Sequence, residues 1–242
     1  MTPRRYGLVV FDFDGTLADS FPWFTSVIND VADRYGFRRI APHESERLRG
    51  LDARAIVHHL GIPAWKLPFI TRHMHRLATR DIATIPLFAG MPEVLATLHR
   101  EGSALGIVSS NLEANIRQAL GPGKAEAVRH YACGASLFGK ARRLGALIRA
   151  AGHAPAETLY VGDEIRDHVA ATEVGCDFGA VNWGYTTGHA LAARGPAHLF
   201  THPAAILAAT TGVSAVPQTA GKPGMEEENG LFDVRHPRRI NH

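Results

Sequence analysis

Two aspartates one residue apart, Asp12 and Asp14, close an apolar run from Leu8 to Phe11, and Gly15 and Thr16 follow at once. Carboxylates this close repel each other unless a cation, a proton or solvent relieves the charge. A hard divalent ion is an economical solution, and Mg2+ favours a few carboxylates supplemented by water and phosphate oxygens. Two further polar clusters end short apolar runs: Ser109, Ser110 and Asn111, and then Asp163, Glu164 and Asp167. Metal-ligating carboxylates, hydroxyls with backbone N–H groups for an anion, and an acid that moves protons are the parts that phosphoryl transfer needs.

A parallel sheet would bring these strand ends to one edge, although they lie far apart in sequence. The chain alternates in the required way. Strand-like runs at Tyr6–Phe11, Ala104–Val108, Tyr131–Gly134, Thr158–Val161, Phe178–Val181 and Ala197–Phe200 are interleaved, after residue 86, with helical periodicities. The expected fold is α/β, a doubly wound, Rossmann-like parallel sheet with helices on both faces. Between Asp19 and Ile85 no strand-like run occurs. Ser20 is placed to cap a helix that starts near Pro22, and Gly36 to stop it. Helical spacing then continues from Pro42 to Arg80. Such an insert is far longer than a usual strand-to-helix connection, and it begins over the edge where open α/β sheets bind ligands. The expected organisation is an α/β core of residues 1–18 and 86–212, a helical cap of residues 19–85, and a disordered tail of residues 213–242. In that tail, AVPQTAGKPGMEEENG has almost nothing to bury.

Composition narrows the function classes. The 242 residues are 45% hydrophobic and 20% charged, the mix of a globular protein. No apolar run approaches the roughly 18–20 residues of a membrane span. The basic, then apolar N-terminus is cut by Asp12 before it reaches the roughly 7–15 apolar residues of a signal peptide, so a cytoplasmic protein without membrane association is expected. The net charge of +3 is spread along the chain, with no basic block interleaved with aromatics, which disfavours nucleic acid as a partner. Cys133 and Cys176 show no CxxC spacing and are read as small buried hydrophobes. The pairs His58-His59 and His73/His75 do not present one helix face, which argues against a metal site there.

FDFDGTLADS, VSSN, Lys140 and VGDEIRD, in that order, resemble the four motifs of the haloacid dehalogenase superfamily. More narrowly, they are similar to its phosphoglycolate-phosphatase-like hydrolases with a helical cap, over about residues 6–210. The resemblance implies that Asp12 is a nucleophile forming an aspartyl-phosphate, and an ionised carboxylate needs no activating base for this. It implies that Asp14 protonates the leaving oxygen and later takes a proton from water. Ser109 and Lys140 complete the implied catalytic set, and Gly15, Thr16, Ser110 and Asn111 the phosphate-binding one. Mg2+ is implied on Asp12, Asp163 and the backbone carbonyl of Asp14. Asp167 would hold a metal-bound water or orient Lys140, and Glu164 would act as a ligand or as a structural or electrostatic neighbour. A dehalogenase of the family lacks the second aspartate, since a halide needs no proton, so Asp14 implies phosphoryl transfer. Relatives commonly follow the lysine with proline, whereas this chain has FGKARR, which keeps Lys124 as a second candidate.

Arg49, in LRGLDAR, resembles the cap loop that relatives insert over the site. Its guanidinium there could hold a substrate carboxylate or second phosphate, with Arg54 a weaker candidate. The expected activity is Mg2+-dependent hydrolysis of a small phosphorylated metabolite, phosphoglycolate-like, by a monomer or homodimer. The alternatives are a phosphomutase of the beta-phosphoglucomutase type and a non-catalytic binding or regulatory protein on the same scaffold.

Overall fold

The computed structural model describes residues 6–134 and 139–211. The tail expected to be disordered, residues 213–242, lies outside the described residues. Six strands form one parallel sheet: β1 (Leu8–Phe11), β2 (Ala104–Val108), β3 (His130–Ala132), β4 (Thr158–Gly162), β5 (Asp177–Val181) and β6 (His198–Phe200). Their order is β3-β2-β1-β4-β5-β6, so the direction of winding reverses at β1, the usual place for a ligand in such sheets. The fold is α/β and Rossmann-like, as its sequence rhythm implies. The strand expected at Tyr131–Gly134 starts one residue earlier and is shorter, His130–Ala132.

Alternation along β1 explains the layers. Val9 and Phe11 pack on one face with α5 (Met91–Arg100), α6 (Glu113–Leu120), α7 (Pro122–Ala127) and α11 (Ala204–Thr211). Leu8 and Val10 pack on the other with α8 (Lys140–Ala150), α9 (Ile165–Val174) and α10 (Gly188–Ala192). All four β1 residues are fully buried, as a central parallel strand covered on both faces requires. The register aligns Phe11 with Ile107 of β2 and Val161 of β4, so Asp12, Ser109 and Asp163 leave the sheet at one edge.

Between β1 and α5 only helical elements occur: α1 (Phe21–Tyr35), α2 (Ser45–Leu48), α3 (Ala53–His59), α4 (Leu67–Asp81) and short 3-10 turns. Gly36 ends α1 in a left-handed conformation. Ser20 departs from its expected role: its side chain makes no capping bond to α1 and pairs instead with the Tyr185 hydroxyl at 3.1 Å. The two strands of chain that join this helical segment to the sheet run side by side. Asp19 N donates to Pro86 O and Phe88 N to Leu17 O, each at 2.9 Å, and Ala18 bridges Leu87 in antiparallel sense.

Leu95 sits fully buried in α5 against the sheet, remote from the aspartates. Leu95→Ala should lower the unfolding free energy by about 2–5 kcal/mol, read by urea denaturation. Loss of much less than this would mean that α5 adds little to the core.

Candidate active site

β1 delivers Asp12 to the edge already buried, 2% exposed. Its amide donates to Val161 O at 2.9 Å, and its Oδ1 accepts from Phe13 N at 2.7 Å. Lys140, the first residue of α8 and 4% exposed, reaches it from the opposite layer, with Nζ donating to Asp12 Oδ2 at 2.6 Å. The same ammonium donates to Asp167 Oδ1. Lys140 is therefore the lysine brought to the cluster, and Lys124 lies away on α7. Asp167 comes from the first turn of α9, where it accepts from the amide of Glu164 at 3.0 Å and from the Tyr160 hydroxyl at 2.9 Å. Lys140, Tyr160 and the Glu164 amide thus engage both of its oxygens.

Asp163 follows β4 and is fully buried. Thr16 Oγ1 donates to its Oδ1 at 2.6 Å, and the amide of Tyr185 to its Oδ2 at 2.7 Å. Two glycines make room for it. Gly15 turns with φ of +75°, and a Cβ there or at Gly184 would collide with the Asp163 side chain. Gly15 and Thr16 therefore shape the pocket of Asp163, since the Thr16 hydroxyl is on that carboxylate and the Gly15 amide on Ala18 O.

Asp14 is half-buried and accepts from Asn111 Nδ2 at 3.1 Å. Asn111 is itself oriented, its Oδ1 accepting from Leu112 N and Asn115 Nδ2. Ser109 is fully buried and its Oγ accepts from the Asn111 amide at 3.1 Å, closing the turn after β2. Ser110 is half-buried, and its carbonyl lies 2.9 Å from His75 Nε2 of α4.

Charge is crowded here. Burial, opposed by Lys140 and reinforced by Asp167, pushes Asp12 up to about 7. Burial, with the charges of Glu164, Asp12 and Asp167, holds Asp163 well above the usual carboxylate range. Burial also raises Asp14, against its hydrogen bonds to Ser20 and Asn111. Burial would lower Lys140, but Asp12 and Asp167 outweigh it and keep the ammonium above its ordinary value. Oxygens of Asp12, Asp163 and Asp167 lie within 4.8 Å of one another, all buried. Three buried carboxylates around one lysine leave an excess of negative charge, and the donors are all hard oxygens, so the residues fit a divalent ion such as Mg2+.

A cavity of about 650 Å³ opens beside this cluster, between the helical segment and the sheet edge. Asp14, Ser110, Asn111, Glu164, Arg166 and Tyr185 line its sheet side. Arg49 also lines it, but in this structure its guanidinium is engaged. Nε donates to Tyr185 O at 3.0 Å, Nη2 to Gly184 O at 2.8 Å, and Nη1 to Glu46 Oε1 at 2.7 Å. Its carbonyl accepts from Thr187 N, and its guanidinium lies 5.0 Å over the Phe21 ring. Arg49 thus ties the helical segment to the loop after β5. That loop, Trp183-Gly184-Tyr185, follows β5 and leaves the sheet at the ligand edge, with no motif in the sequence to mark it. Tyr160, an apolar-looking strand residue, holds Asp167, and Arg166 pairs through Nε and Nη2 with Glu164. Glu164 therefore faces Arg166 and the cavity.

A family model for haloacid dehalogenase-like hydrolases matches residues 9–181. A phosphoglycolate phosphatase of Synechococcus elongatus is 34% identical over 204 residues, 84% of this chain and 96% of that protein. An N-acetylmuramic acid 6-phosphate phosphatase of Pseudomonas aeruginosa is 27% identical, over 76% of this chain and 85% of its own. Among solved structures, a phosphoglycolate phosphatase candidate from Lactobacillus plantarum superposes with a TM-score of 0.72 at 24% identity, covering 84% of this chain and 98% of that one. With the motifs in place at one sheet edge, the chain belongs to the haloacid dehalogenase-like hydrolases, as an enzyme of their phosphoglycolate-phosphatase-like, phosphatase branch.

Proposed function

We propose that this enzyme hydrolyses a small phosphate monoester with Mg2+, through an aspartyl-phosphate on Asp12. The observation that supports this reading most directly is the pairing of a buried, lysine-held Asp12 with a second carboxylate, Asp14, on the wall of the cavity. Asp12, Asp163 and the backbone carbonyl of Asp14 would hold the ion, with Asp167 turned to Lys140. When bound, the ion supplies positive charge that offsets repulsion between the carboxylates and the phosphoryl oxygens.

The Asp12 carboxylate attacks phosphorus, and the bond from phosphorus to the alcohol oxygen breaks. Asp14 gives its proton to the departing oxygen, a role suited to a carboxyl that burial keeps protonated to higher pH. Asp14 then takes a proton from water as that water attacks phosphorus, the bond to Asp12 breaks, and inorganic phosphate leaves. Lys140 holds Asp12 in place for both steps. The Ser109 hydroxyl, Ser110 and Asn111 steady the phosphoryl oxygens. Phosphoglycolate, named for the relative from Synechococcus elongatus, is the reference substrate.

Asp12→Asn should abolish phosphate release from phosphoglycolate and from p-nitrophenyl phosphate while leaving the circular dichroism spectrum unchanged; surviving turnover would remove Asp12 as nucleophile. Asp14→Asn should lower kcat by about 10²–10⁴-fold on an alkyl phosphate. Its effect on p-nitrophenyl phosphate should be smaller, because that leaving group departs without a proton, and equal losses would argue against an acid role.

The raised Asp12 also predicts a pH signature. Between its ordinary 3.8 and about 7 the folded state binds the extra proton, so the stability Asp12 contributes is complete below 3.8 and lost as pH rises through about 7. In chelated protein, the Tm advantage of Asp12→Asn over wild type should therefore grow across that window, and added Mg2+ should shrink it. A constant gap would mean that Lys140 cancels the cost of burial.

A further inference from the structure

The cavity beside Asp14 is lined mainly by apolar side chains. Away from Ser110 and Asn111 its walls are mostly apolar, formed by Phe24 and Ile28 of α1, Leu48 of α2, Ile56 and Val57 of α3, and Ile70 of α4. Its volume of about 650 Å³ is in the range of pockets that enclose drug-sized ligands, far beyond what a two-carbon alcohol can fill.

The arginines in the lining are already paired. Arg49 is engaged by two carbonyls and Glu46, and Arg166 by both oxygens of Glu164. His75 lies on Ser110 O. Asp52, also in the wall, accepts from the Ala55 amide as the cap of α3 and adds a further negative charge. An alcohol bearing a second anionic group would meet Asp52 and Glu164 and would have to displace an existing partner to gain a cation. An apolar alcohol gains by leaving water for these walls.

Resting on the phosphatase reading above, we infer that the preferred substrates are phosphate monoesters of alcohols carrying an extended apolar group, with the phosphate at Asp12 and Asp14 and the apolar group lodged among α1, α3 and α4. The specificity of this enzyme is then set by hydrophobic burial of the leaving group. A small acidic ester such as phosphoglycolate is a poorer substrate, turned over through the phosphate end alone.

The test is phosphate release, with Mg2+, from ethyl, butyl and hexyl phosphate and from phosphoglycolate. Each methylene that enters the cavity should raise kcat/KM about threefold to fourfold, so hexyl phosphate should exceed ethyl phosphate by about two orders of magnitude and should exceed phosphoglycolate. Ile56→Asp places a charge in the apolar wall, on a helix in which no residue is fully buried and which should therefore still fold. It should flatten the chain-length dependence, lowering kcat/KM for hexyl phosphate far more than for ethyl phosphate. A flat alkyl series, or phosphoglycolate outperforming hexyl phosphate, would overturn this inference and leave the phosphatase reading standing. Absence of phosphate release from every ester would overturn both.

Discussion

Everything at the sheet edge depends on one electrostatic constraint: Asp12, Asp163 and Asp167 are buried around a single ammonium, that of Lys140. Carboxylates out of water are costly unless they are paired, protonated or bound to metal. The fold supplies the pairing from several directions. β1 brings Asp12, β4 brings Asp163, the first turn of α9 brings Asp167, and α8 begins with Lys140. Tyr160 and the backbone amides of Phe13, Glu164 and Tyr185 complete the hydrogen bonding of the carboxylates. Tyr160 donates from within β4 and the amides from the turns that follow β1, β4 and β5, so the polar cluster and the apolar layers position each other. The Asp163 pocket exists only because Gly15 and Gly184 lack side chains.

Much of this was legible in the sequence because it is written in local patterns. A short apolar run ending in a polar cluster marks a strand arriving at a functional edge, and the paired aspartates, VSSN and VGDEIRD each have that form. The parallel sheet follows from the strand–helix rhythm, whereas its order is seen only in the folded chain. What stayed hidden depends on contacts between distant segments. Arg49 reads as a free guanidinium in LRGLDAR, yet it is engaged by carbonyls more than 130 residues away, and nothing local in either segment announces that contact. Ser20 has the composition of a helix cap, but the Tyr185 hydroxyl competes for it and wins. Tyr160 sits in a strand whose residues all read as core, so its single polar atom gave no signal until Asp167 stood beside it. His75 likewise looked like one of several scattered histidines before α4 folded over Ser110.

The helical segment shows a division of labour. The sheet edge carries nearly all the buried charge, and the helices opposite it carry apolar side chains over a shared cavity. Among the described residues no helix is long and apolar enough to cross a membrane. Polar joints between the two sides include Arg49 at the loop after β5, His75 at the turn after β2, and Ser20 at Tyr185.

The antiparallel pairing of Leu17–Asp19 with Pro86–Phe88 has a consequence for how the chain folds. β1 must find β2 about 90 residues later, and closing so long a loop is entropically unfavourable. Once the two joining segments are hydrogen-bonded, the effective separation between those strands falls to roughly 25 residues, easing closure by about 1 kcal/mol. Helices 21–81 can form largely from local contacts, which are fast. The pairing therefore clasps the base of the insertion, so that β1 and β2 are joined as though the insertion were a short turn.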